Sequence, residues 1–187
     1  MEINKFDIEG VVEIIPRKFG DKRGYFFESY NRQKLFDIGI VDNFVQDNES
    51  FSRKGILRGL HFQTKKPQSK LVRVVSGKVL DVAVDLRLNS KTFGKYISCV
   101  LDGEKHNQLY IPRGFAHGFV VLSDTVIFNY KCDNFYDNTG ESGIIYNDSN
   151  IAIDWILEDV MLSDKDSNLK TLDSIMDDIK ILNENLL

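Results

Sequence analysis

Residues 55–70 concentrate side chains that could carry acid–base chemistry. Arg58 and His61 lie inside an apolar, strand-like run that reads GILRGLHFQ, and Lys70 follows shortly after. The chain has only three histidines in 187 residues. An imidazole changes charge near neutral pH, so His61 is a candidate proton carrier. The alternative for His61 taken alone is a core histidine whose ring is hydrogen-bonded to a backbone carbonyl.

A second stretch, residues 111–118, reads IPRGFAHG and resembles the second half-motif of the cupin jelly rolls. In metal-binding cupins the histidine that matches His117 has partners in an earlier His-x-His segment with a downstream Glu. Here the earlier segment contains only His61, and we expect His106 to be solvated in its polar turn. A catalytic metal usually needs three protein ligands. We therefore expect no metal and no cofactor, and any chemistry must be proton transfer by side chains.

The segments that must position these residues predict a β-rich fold. Short runs rich in β-branched and aromatic residues, separated by Gly, Asp and Asn, follow one another with almost no helix between them, which favours an all-β sandwich or barrel. After residue 70 we predict strands at 71–75, 78–87, 96–101, 108–111, 119–122 and 126–131. The first two form a hairpin around a Ser-Gly turn.

The two ends of the chain add other elements. We predict a strand at 11–15, an aromatic strand at 25–30, a short strand before the polar run 45–50, and a helix at 31–38 that Asn31 caps and Gly39 ends. Near the C-terminus, Leu169, Leu172, Ile175, Met176, Ile179 and Leu182 recur at helical spacing and predict an amphipathic helical tail over about 168–187. No repeat or linker divides the chain, so we expect one domain, 1–187.

The strand at 78–87 has two unlike faces. Leu80, Val82, Val84 and Leu86 share one face, and the other face carries Val79, Asp81, Ala83, Asp85 and Arg87. Two carboxylates on one face indicate either solvent or a polar cavity. The sequence alone favours solvent.

Composition bounds the class of protein. Apolar residues make up 42% and charged residues 28%, as in ordinary globular proteins. The net charge of −4 argues against a nucleic-acid surface, which needs a basic footprint. No stretch is long and apolar enough for a membrane span or a signal peptide. Cys99 and Cys132 are far apart in strand-like runs, so we expect reduced thiols in a cytoplasmic protein.

Several motifs, in order along the chain, resemble the dTDP-4-dehydrorhamnose 3,5-epimerase family. They are LRGLHFQ at 57–63, QSKLVR at 68–73, DVAVD at 81–85, TFG at 92–94, QLYIPRGFAHGF at 108–119, YK at 130–131, Trp155, and LSDKD at 162–166. One such motif would be weak, but this many in register are specific. The resemblance covers nearly the whole chain up to about residue 166 and implies a cupin-type double-stranded β-helix, a jelly-roll barrel with short N-terminal strands and a C-terminal helix.

The resemblance implies a cofactor-free epimerisation at C3 and C5 of dTDP-4-dehydro-6-deoxy-D-glucose, which gives dTDP-4-dehydro-L-rhamnose for dTDP-L-rhamnose and polysaccharide synthesis. The C4 ketone acidifies the hydrogens on both centres, so the reaction needs a base, an oxyanion stabiliser and an acid on the far side. The family assigns the base to the match of His61, which the match of Asp166 orients. The match of Lys70 stabilises the oxyanion, and the match of Tyr130 returns a proton.

The resemblance also implies how the substrate, a dTDP-linked 4-keto-6-deoxyhexose, is bound. Arg58 matches a phosphate contact, and Arg23 matches one that reaches the site of the neighbouring subunit in a homodimer with exchanged N-terminal strands. Guanidinium groups suit this because they grip phosphate oxygens bidentately. The other matched positions are Phe19, Glu28, Gln46, Asn48 and Tyr136 around the nucleotide and His117 beside the sugar and diphosphate.

Other interpretations stay open on the residues alone. Tyr130 fits a core aromatic, Lys70 a solvated cation, and Asp166 a helix cap. The rival functions are a sibling 3- or 3,5-epimerase acting on another nucleotide-linked 4-ketosugar, a non-catalytic cupin that binds a sugar nucleotide, and a metal-dependent cupin dioxygenase or isomerase. The odd spacing of Arg58 and His61 places them on opposite faces of a regular strand. We therefore predict a bulge at Gly59.

Overall fold

The computed structural model describes residues 1–186 as a series of short strands with few helices. The strands are β1 (Glu2–Lys5), β2 (Val12–Ile15), β3 (Phe19–Asp21), β4 (Gly24–Phe26), β5 (Gln46–Arg53), β6 (Leu57–Gln63), β7 (Lys70–Ser76), β8 (Lys78–Asp85), β9 (Tyr96–Asp102), β10 (Gln108–Ile111), β11 (Phe115–Val121), β12 (Thr125–Cys132) and β13 (Glu141–Gly143). The helices are α1 (Arg32–Asp37), α2 (Asp164–Ser167) and α3 (Met176–Glu184), the last preceded by a 3₁₀ turn at Leu172–Ile175.

Two antiparallel sheets form the body of the molecule. A six-stranded sheet has the order β1-β2-β10-β7-β12-β5, and a five-stranded sheet has the order β13-β6-β11-β8-β9. Strands β3 and β4 pair only with each other and make a small separate hairpin. In both sheets, strands that are distant in sequence lie side by side. The arrangement confirms the expected all-β architecture with short N-terminal strands.

The main core fills the space between the sheets. Its members come from the inward faces of β7, β8, β11 and β12 and include Val72, Val74, Val79, Phe119 and Phe128. A second cluster covers the outer face of the five-stranded sheet, and a third packs α1 on the outer face of the six-stranded sheet. Burying apolar surface on both sides of a sheet stabilises it strongly, which makes this scaffold suitable for holding side chains in place.

The predicted alternation of faces along β8 is confirmed, but the prediction that its polar face is exposed to solvent is wrong. Leu80 and Val82 pack on the outer face, while Asp81 and Asp85 point between the sheets and are fully buried. Asp85 accepts hydrogen bonds from Arg87, whose Nε lies 2.8 Å away, and from Ser90 and Thr92. The period of a strand fixes which residues share a face, but it does not say which face meets water.

The N-terminal region differs in detail from expectation. Helix α1 is confirmed, and the Asn31 side chain caps it by accepting a hydrogen bond from the backbone N–H of Lys34 at 3.2 Å. The aromatic strand is shorter than expected, because β4 ends at Phe26. The polar run after Val45 does not follow a strand but forms the start of β5, since its partner β12 supplies the hydrogen bonds that its composition does not suggest.

The C-terminal tail covers the outer face of the five-stranded sheet. The expected helical stripe is divided between the 3₁₀ turn and α3, and Leu172, Ile175, Ile179 and Leu182 are all buried against that sheet. The stripe is therefore a packing surface. None of the helices within residues 1–186 has the length and apolar character needed to cross a bilayer.

His106 and Cys132 are buried, and Cys99 is partly buried. His106 is not solvated: it is 3% exposed, and its ring stacks on Phe27 with 4.5 Å between ring centroids. The turn that holds His106 is polar in sequence, but the N-terminal aromatic residues fold over it. Cys99 and Cys132 are free thiols, as expected, and burial raises their pKa values to about 12 and about 11.

Candidate active site

A cavity of about 570 Å³ opens between the two sheets. Residues from β5, β6, β7, β11, β12 and α2 line it, so both sheets and the segment before the C-terminal tail contribute. Its polar lining residues are Asp47, Asn48, Glu49, Ser50, Arg58, His61, Lys70, His117, Tyr130, Ser163, Lys165 and Asp166. Cationic and acid–base side chains thus share one enclosed space on a rigid scaffold, which is typical of a catalytic or ligand-binding site.

A bulge in β6 brings Arg58 and His61 onto the same wall, as predicted. In the pairing with β11, His61 lies opposite His117 and Arg58 lies opposite Phe119, so β6 contains one extra residue. Gly59 occupies that position with φ of +119°, and a Cβ there would lie 2.5 Å from the Cα of Gly118. Glycine is required because the backbone is left-handed and the neighbouring strand is close.

His61 and Asp166 form a hydrogen-bonded pair. The Nε2 of His61 lies 2.6 Å from Oδ1 of Asp166, although the two residues are 105 positions apart in the chain. Ser163 caps α2 by accepting the backbone N–H of Asp166 at 3.1 Å, which fixes the carboxylate in place. Burial would raise the pKa of Asp166, but the hydrogen bond and charge of His61 bring it below its usual value.

Lys70 and Tyr130 complete the acid–base set. Lys70 begins β7 and is only partly exposed, so it is not the solvated cation that its sequence context allows, and burial lowers the pKa of its ammonium group. Tyr130 lies on the adjacent strand β12 and lines the same cavity as His61. Burial raises the pKa of the Tyr130 phenol, so the hydroxyl keeps its proton at neutral pH.

His117 lies directly across the strand pair from His61. Its ring is buried, and its Nε2 is 2.9 Å and 3.0 Å from the two carboxylate oxygens of Asp81. Burial lowers the pKa of His117, and the Asp81 carboxylate opposes that shift. The cavity therefore contains two imidazoles, and each of them is hydrogen-bonded to its own carboxylate.

A smaller cavity of about 100 Å³ adjoins the first and shares with it Asn48, His61, Lys70 and Tyr130. Gln46 and Tyr136 line it. The backbone N–H of Tyr136 donates to Oε1 of Gln46 at 3.0 Å, which holds the Gln46 side chain against the Tyr136 backbone. These amide and aromatic groups could hold a planar heterocycle by hydrogen bonding and stacking.

Sequence patterns do not identify some of the residues that line these cavities. Glu141 accepts a hydrogen bond from the Tyr136 hydroxyl at 2.8 Å and pairs with Lys165 at 2.5 Å. The position of Lys165 directly before Asp166 was a signal that could have identified it. Nothing in the sequence around Glu141 distinguishes it from a surface carboxylate, and Asp81 was assigned to the wrong environment.

Three predicted binding residues lie elsewhere in the chain. Phe19 and Glu28 line a separate cavity of about 310 Å³ near the N-terminus. Arg23 is 91% exposed at the turn of the β3–β4 hairpin, where its Nε lies 3.1 Å from Asp21. The single chain therefore brings together the four predicted catalytic residues with Arg58, Gln46, Asn48, His117 and Tyr136, but not these three.

The arrangement of potential metal ligands also bears on the chemistry of the cavity. Within the part of the chain that the structure describes, residues 1–186, no three His, Cys, Asp or Glu side chains are grouped as ligands of one ion would be. The two carboxylates nearest the imidazoles, Asp81 and Asp166, are each engaged by a histidine ring.

Comparisons with known proteins identify close relatives. Residues 5–174 match the family model described as dTDP-4-dehydrorhamnose 3,5-epimerase. The dTDP-4-dehydrorhamnose 3,5-epimerase of Escherichia coli strain K12 is 49% identical over 180 residues, which is 94% of this chain and 97% of that protein.

Solved structures have the same fold. The dTDP-6-deoxy-D-glucose-3,5-epimerase of Legionella pneumophila, crystallised with dTDP-4-keto-L-rhamnose, superposes with a TM-score of 0.93 at 47% identity, over 95% of this chain and 96% of that one. NovW, a 4-keto-6-deoxy sugar epimerase from the novobiocin gene cluster of Streptomyces spheroides, superposes with a TM-score of 0.89 at 35% identity, over 95% and 90%. These neighbours confirm the expected cupin jelly roll.

Proposed function

The chain belongs to the dTDP-4-dehydrorhamnose 3,5-epimerase family, and we propose that it inverts C3 and C5 of dTDP-4-dehydro-6-deoxy-D-glucose to give dTDP-4-dehydro-L-rhamnose. This isomerisation is a step of dTDP-L-rhamnose synthesis. The single observation that carries the proposal is that a histidine–carboxylate pair, His61 and Asp166, opens on the same cavity as a lysine and a protonated tyrosine. Those four groups meet the chemical needs of deprotonation next to a ketone.

His61 is the base in this proposal. The C4 ketone acidifies the hydrogens on C3 and C5, and His61 takes one of these protons while the carbon–hydrogen electrons move onto the C4 oxygen as an enolate. Asp166 holds one ring nitrogen, which leaves the other free to accept the proton, and its negative charge stabilises the imidazolium that forms. Such general-base catalysis typically contributes about 10²–10⁴-fold to the rate.

Lys70 and Tyr130 complete each inversion. The Lys70 ammonium stabilises the developing enolate oxygen, and a partly desolvated site strengthens that attraction. Tyr130 donates its phenolic proton to the carbon from the opposite side, the enolate returns to a ketone, and the configuration is inverted. His61 then releases its proton, and the Tyr130 phenolate takes one up. The same cycle at the second centre gives the doubly inverted product with no net change in atoms or charge.

The nucleotide is held by the remaining residues. Arg58 supplies a guanidinium to the diphosphate, and His117 presents its other ring nitrogen, Nδ1, beside the sugar. Gln46, Asn48 and Tyr136 form the wall on which the thymine is expected to stack and hydrogen-bond. This part of the proposal is supported by their shared lining of the two adjoining cavities.

A homodimer would complete the binding site. The β3–β4 hairpin presents Phe19, Tyr25 and Phe26 with more than half of each residue exposed, and an isolated two-stranded hairpin is marginally stable in water. Docking on a second copy would bury these aromatic side chains. We infer that the hairpin then delivers Arg23, Phe19 and Glu28 to the cavity of the partner subunit.

A labelling experiment tests the proposed reaction. The protein is incubated with dTDP-4-dehydro-6-deoxy-D-glucose in deuterated water, and the product is examined by NMR. We expect deuterium at both C3 and C5 and the L-rhamno configuration. Label at C3 alone would instead support a single-centre epimerase. Binding of the nucleotide sugar without any label would support the non-catalytic alternative.

A further inference from the structure

Asp81 is a buried carboxylate to which the reaction described above gives no role. It is fully buried between the sheets, and Val79 and Ala83, which share its face of β8, belong to the apolar interior. Its hydrogen bonds within residues 1–186 come from one donor, the Nε2 of His117, which reaches both of its oxygens. A charge in apolar surroundings is destabilising unless it is paired. Burying the Asp81 carboxylate therefore has a free-energy cost that a purely structural role does not explain.

The hydrogen bond from His117 has a chemical consequence for the cavity. Burial raises the pKa of Asp81, and the charge and hydrogen bond of His117 oppose that shift. In its ionised form the carboxylate only accepts hydrogen bonds, so the Nε2 atom that contacts it then carries the proton. The Nδ1 of His117 has no hydrogen-bond partner in the described part of the chain, and the residue lines the 570 Å³ cavity. Asp81 thus selects the ring nitrogen that meets the ligand, as Asp166 does for His61.

The charge of Asp81 also affects the protonation of Lys70. Lys70 lines the cavity together with His117, whose ring contacts Asp81 at 2.9 Å. Burial lowers the pKa of Lys70 and raises that of Asp81, and the attraction between their opposite charges opposes both shifts. The other titratable groups that act on Lys70 are Cys132, Glu141 and, through repulsion, His117. Asp81 is the most deeply buried of the carboxylates in this set.

We propose that Asp81 is a positioning residue for the epimerisation: it fixes the tautomer and orientation of His117 and supplies the buried counter-charge of Lys70. The proposal rests on the proposed function, because it assigns Asp81 to the same cavity and reaction. Asp81 does not touch the substrate in this account. It acts through the two groups that line the cavity where the sugar and the enolate oxygen are expected.

Asp85 is a matched control. It lies on the same face of β8 and is equally buried. Its partners, however, are Arg87, Ser90 and Thr92, none of which lines the cavity, and its carboxylate receives several hydrogen bonds instead of one donor. Replacing Asp85 should therefore reduce stability without changing the acid–base behaviour of the site.

The first test needs no enzymatic activity. In ¹⁵N-histidine-labelled protein, the ring nitrogens of His117 are assigned by NMR with the help of a His117→Asn variant. We expect Nε2 to be protonated at every pH at which the protein stays folded. We expect Asp81→Ala to lose this preference, Asp81→Asn to keep part of it because an amide oxygen still accepts, and Asp85→Asn to keep it fully. An unprotonated Nε2 in the parent protein would overturn the proposal even if the variants failed to fold.

The second test uses the pH profile of turnover. Activity falls at high pH as Lys70 loses its proton, and removal of the Asp81 charge makes that loss easier. Asp81→Asn should therefore move the basic limb of kcat to lower pH by about one pH unit and reduce kcat, with a smaller change in KM. Asp85→Asn should leave the limb in place. A parent-like limb in a folded Asp81→Asn protein would contradict the counter-charge role. If the parent protein fails to epimerise any 4-ketosugar nucleotide, the proposed function fails, while the His117 measurement still decides the positioning of the ring.

Discussion

At the residue scale, the acid–base groups depend on partners far away in sequence. His61 is recognisable as a candidate base from its type and neighbours, but the 2.6 Å contact that orients its ring comes from Asp166, more than one hundred residues later. From sequence spacing alone, Asp166 could be a helix cap. In the structure the cap of α2 is Ser163, and Asp166 lies within the helix. Only folding joins the two residues, so the pair was reached through family resemblance and not through local pattern.

Replacement of Asp166 tests this pairing. Asp166→Asn keeps a hydrogen-bonding group beside His61 but removes the negative charge that stabilises the imidazolium, so kcat should fall by about 10-fold or more. Asp164→Asn is a control in the same turn of α2, where the carboxylate is exposed and does not line the cavity. Steady-state kinetics measure kcat for both variants. An equal loss of kcat in the two would contradict the pairing of His61 with Asp166.

In the proposed mechanism, Tyr130 acts in the second half of each inversion. Tyr130→Phe removes the proton donor but leaves His61 and Asp166 unchanged, so deprotonation continues while inversion is blocked. We expect deuterium exchange to persist with retention of configuration, and the rate of inversion to fall by about 10²-fold or more. NMR analysis of recovered substrate in deuterated water measures both. Undiminished inversion would remove Tyr130 from the mechanism.

At the element scale, the wall of the cavity depends on the bulge in β6. The odd spacing of Arg58 and His61 predicted that bulge correctly, because a regular strand could not present both side chains to one cavity. The environment of β8 was not predictable in the same way, because period-two alternation is identical for a solvent face and for a face that closes on a polar cavity. Strand β5 was also missed as a strand, since its polar sequence is stabilised by pairing with β12.

Gly59→Ala should disrupt this element. A Cβ at residue 59 would lie 2.5 Å from the Cα of Gly118 and 2.7 Å from the carbonyl oxygen of His117, and the backbone φ is positive. We expect a loss of about 2 kcal/mol or more in the free energy of unfolding, together with loss of activity. Gly39→Ala is the control, because Gly39 also has positive φ but no atom within 4 Å of the added Cβ. Its cost should be about 1 kcal/mol. Equal costs in denaturant unfolding would contradict the close-packing argument.

At the scale of the whole molecule, the fold was predicted well and the complete binding site was not. Short strands with Gly and Asp turns specify a β-sandwich, and their order along the chain fits two packed sheets. The N-terminal hairpin is different. Phe19, Tyr25 and Phe26 remain more than half exposed, and Arg23 lies at the exposed turn of the hairpin. Neither the sequence pattern nor the single subunit therefore places Arg23 beside the cavity.

Mixed dimers test whether the site is shared between subunits. Arg23→Ala and His61→Ala proteins are each expected to have little activity. After co-refolding, a heterodimer would contain one site with both native residues, one from each subunit, so part of the activity should return. Lys22→Ala, which removes the neighbouring exposed cation of the same turn, should keep near-normal activity alone. If mixing restores nothing although heterodimers are present, Arg23 does not act across the interface.

The central claim is that His61 removes the hydrogens beside the ketone, and isotope exchange measures that step most directly. In deuterated water, the rates of label entry at C3 and C5 are compared between the parent protein and His61→Ala, at equal saturation with dTDP-4-dehydro-6-deoxy-D-glucose. Loss of the base should slow exchange at both centres by about 10²–10⁴-fold while the nucleotide sugar still binds. Exchange at a near-parental rate in His61→Ala would contradict the account.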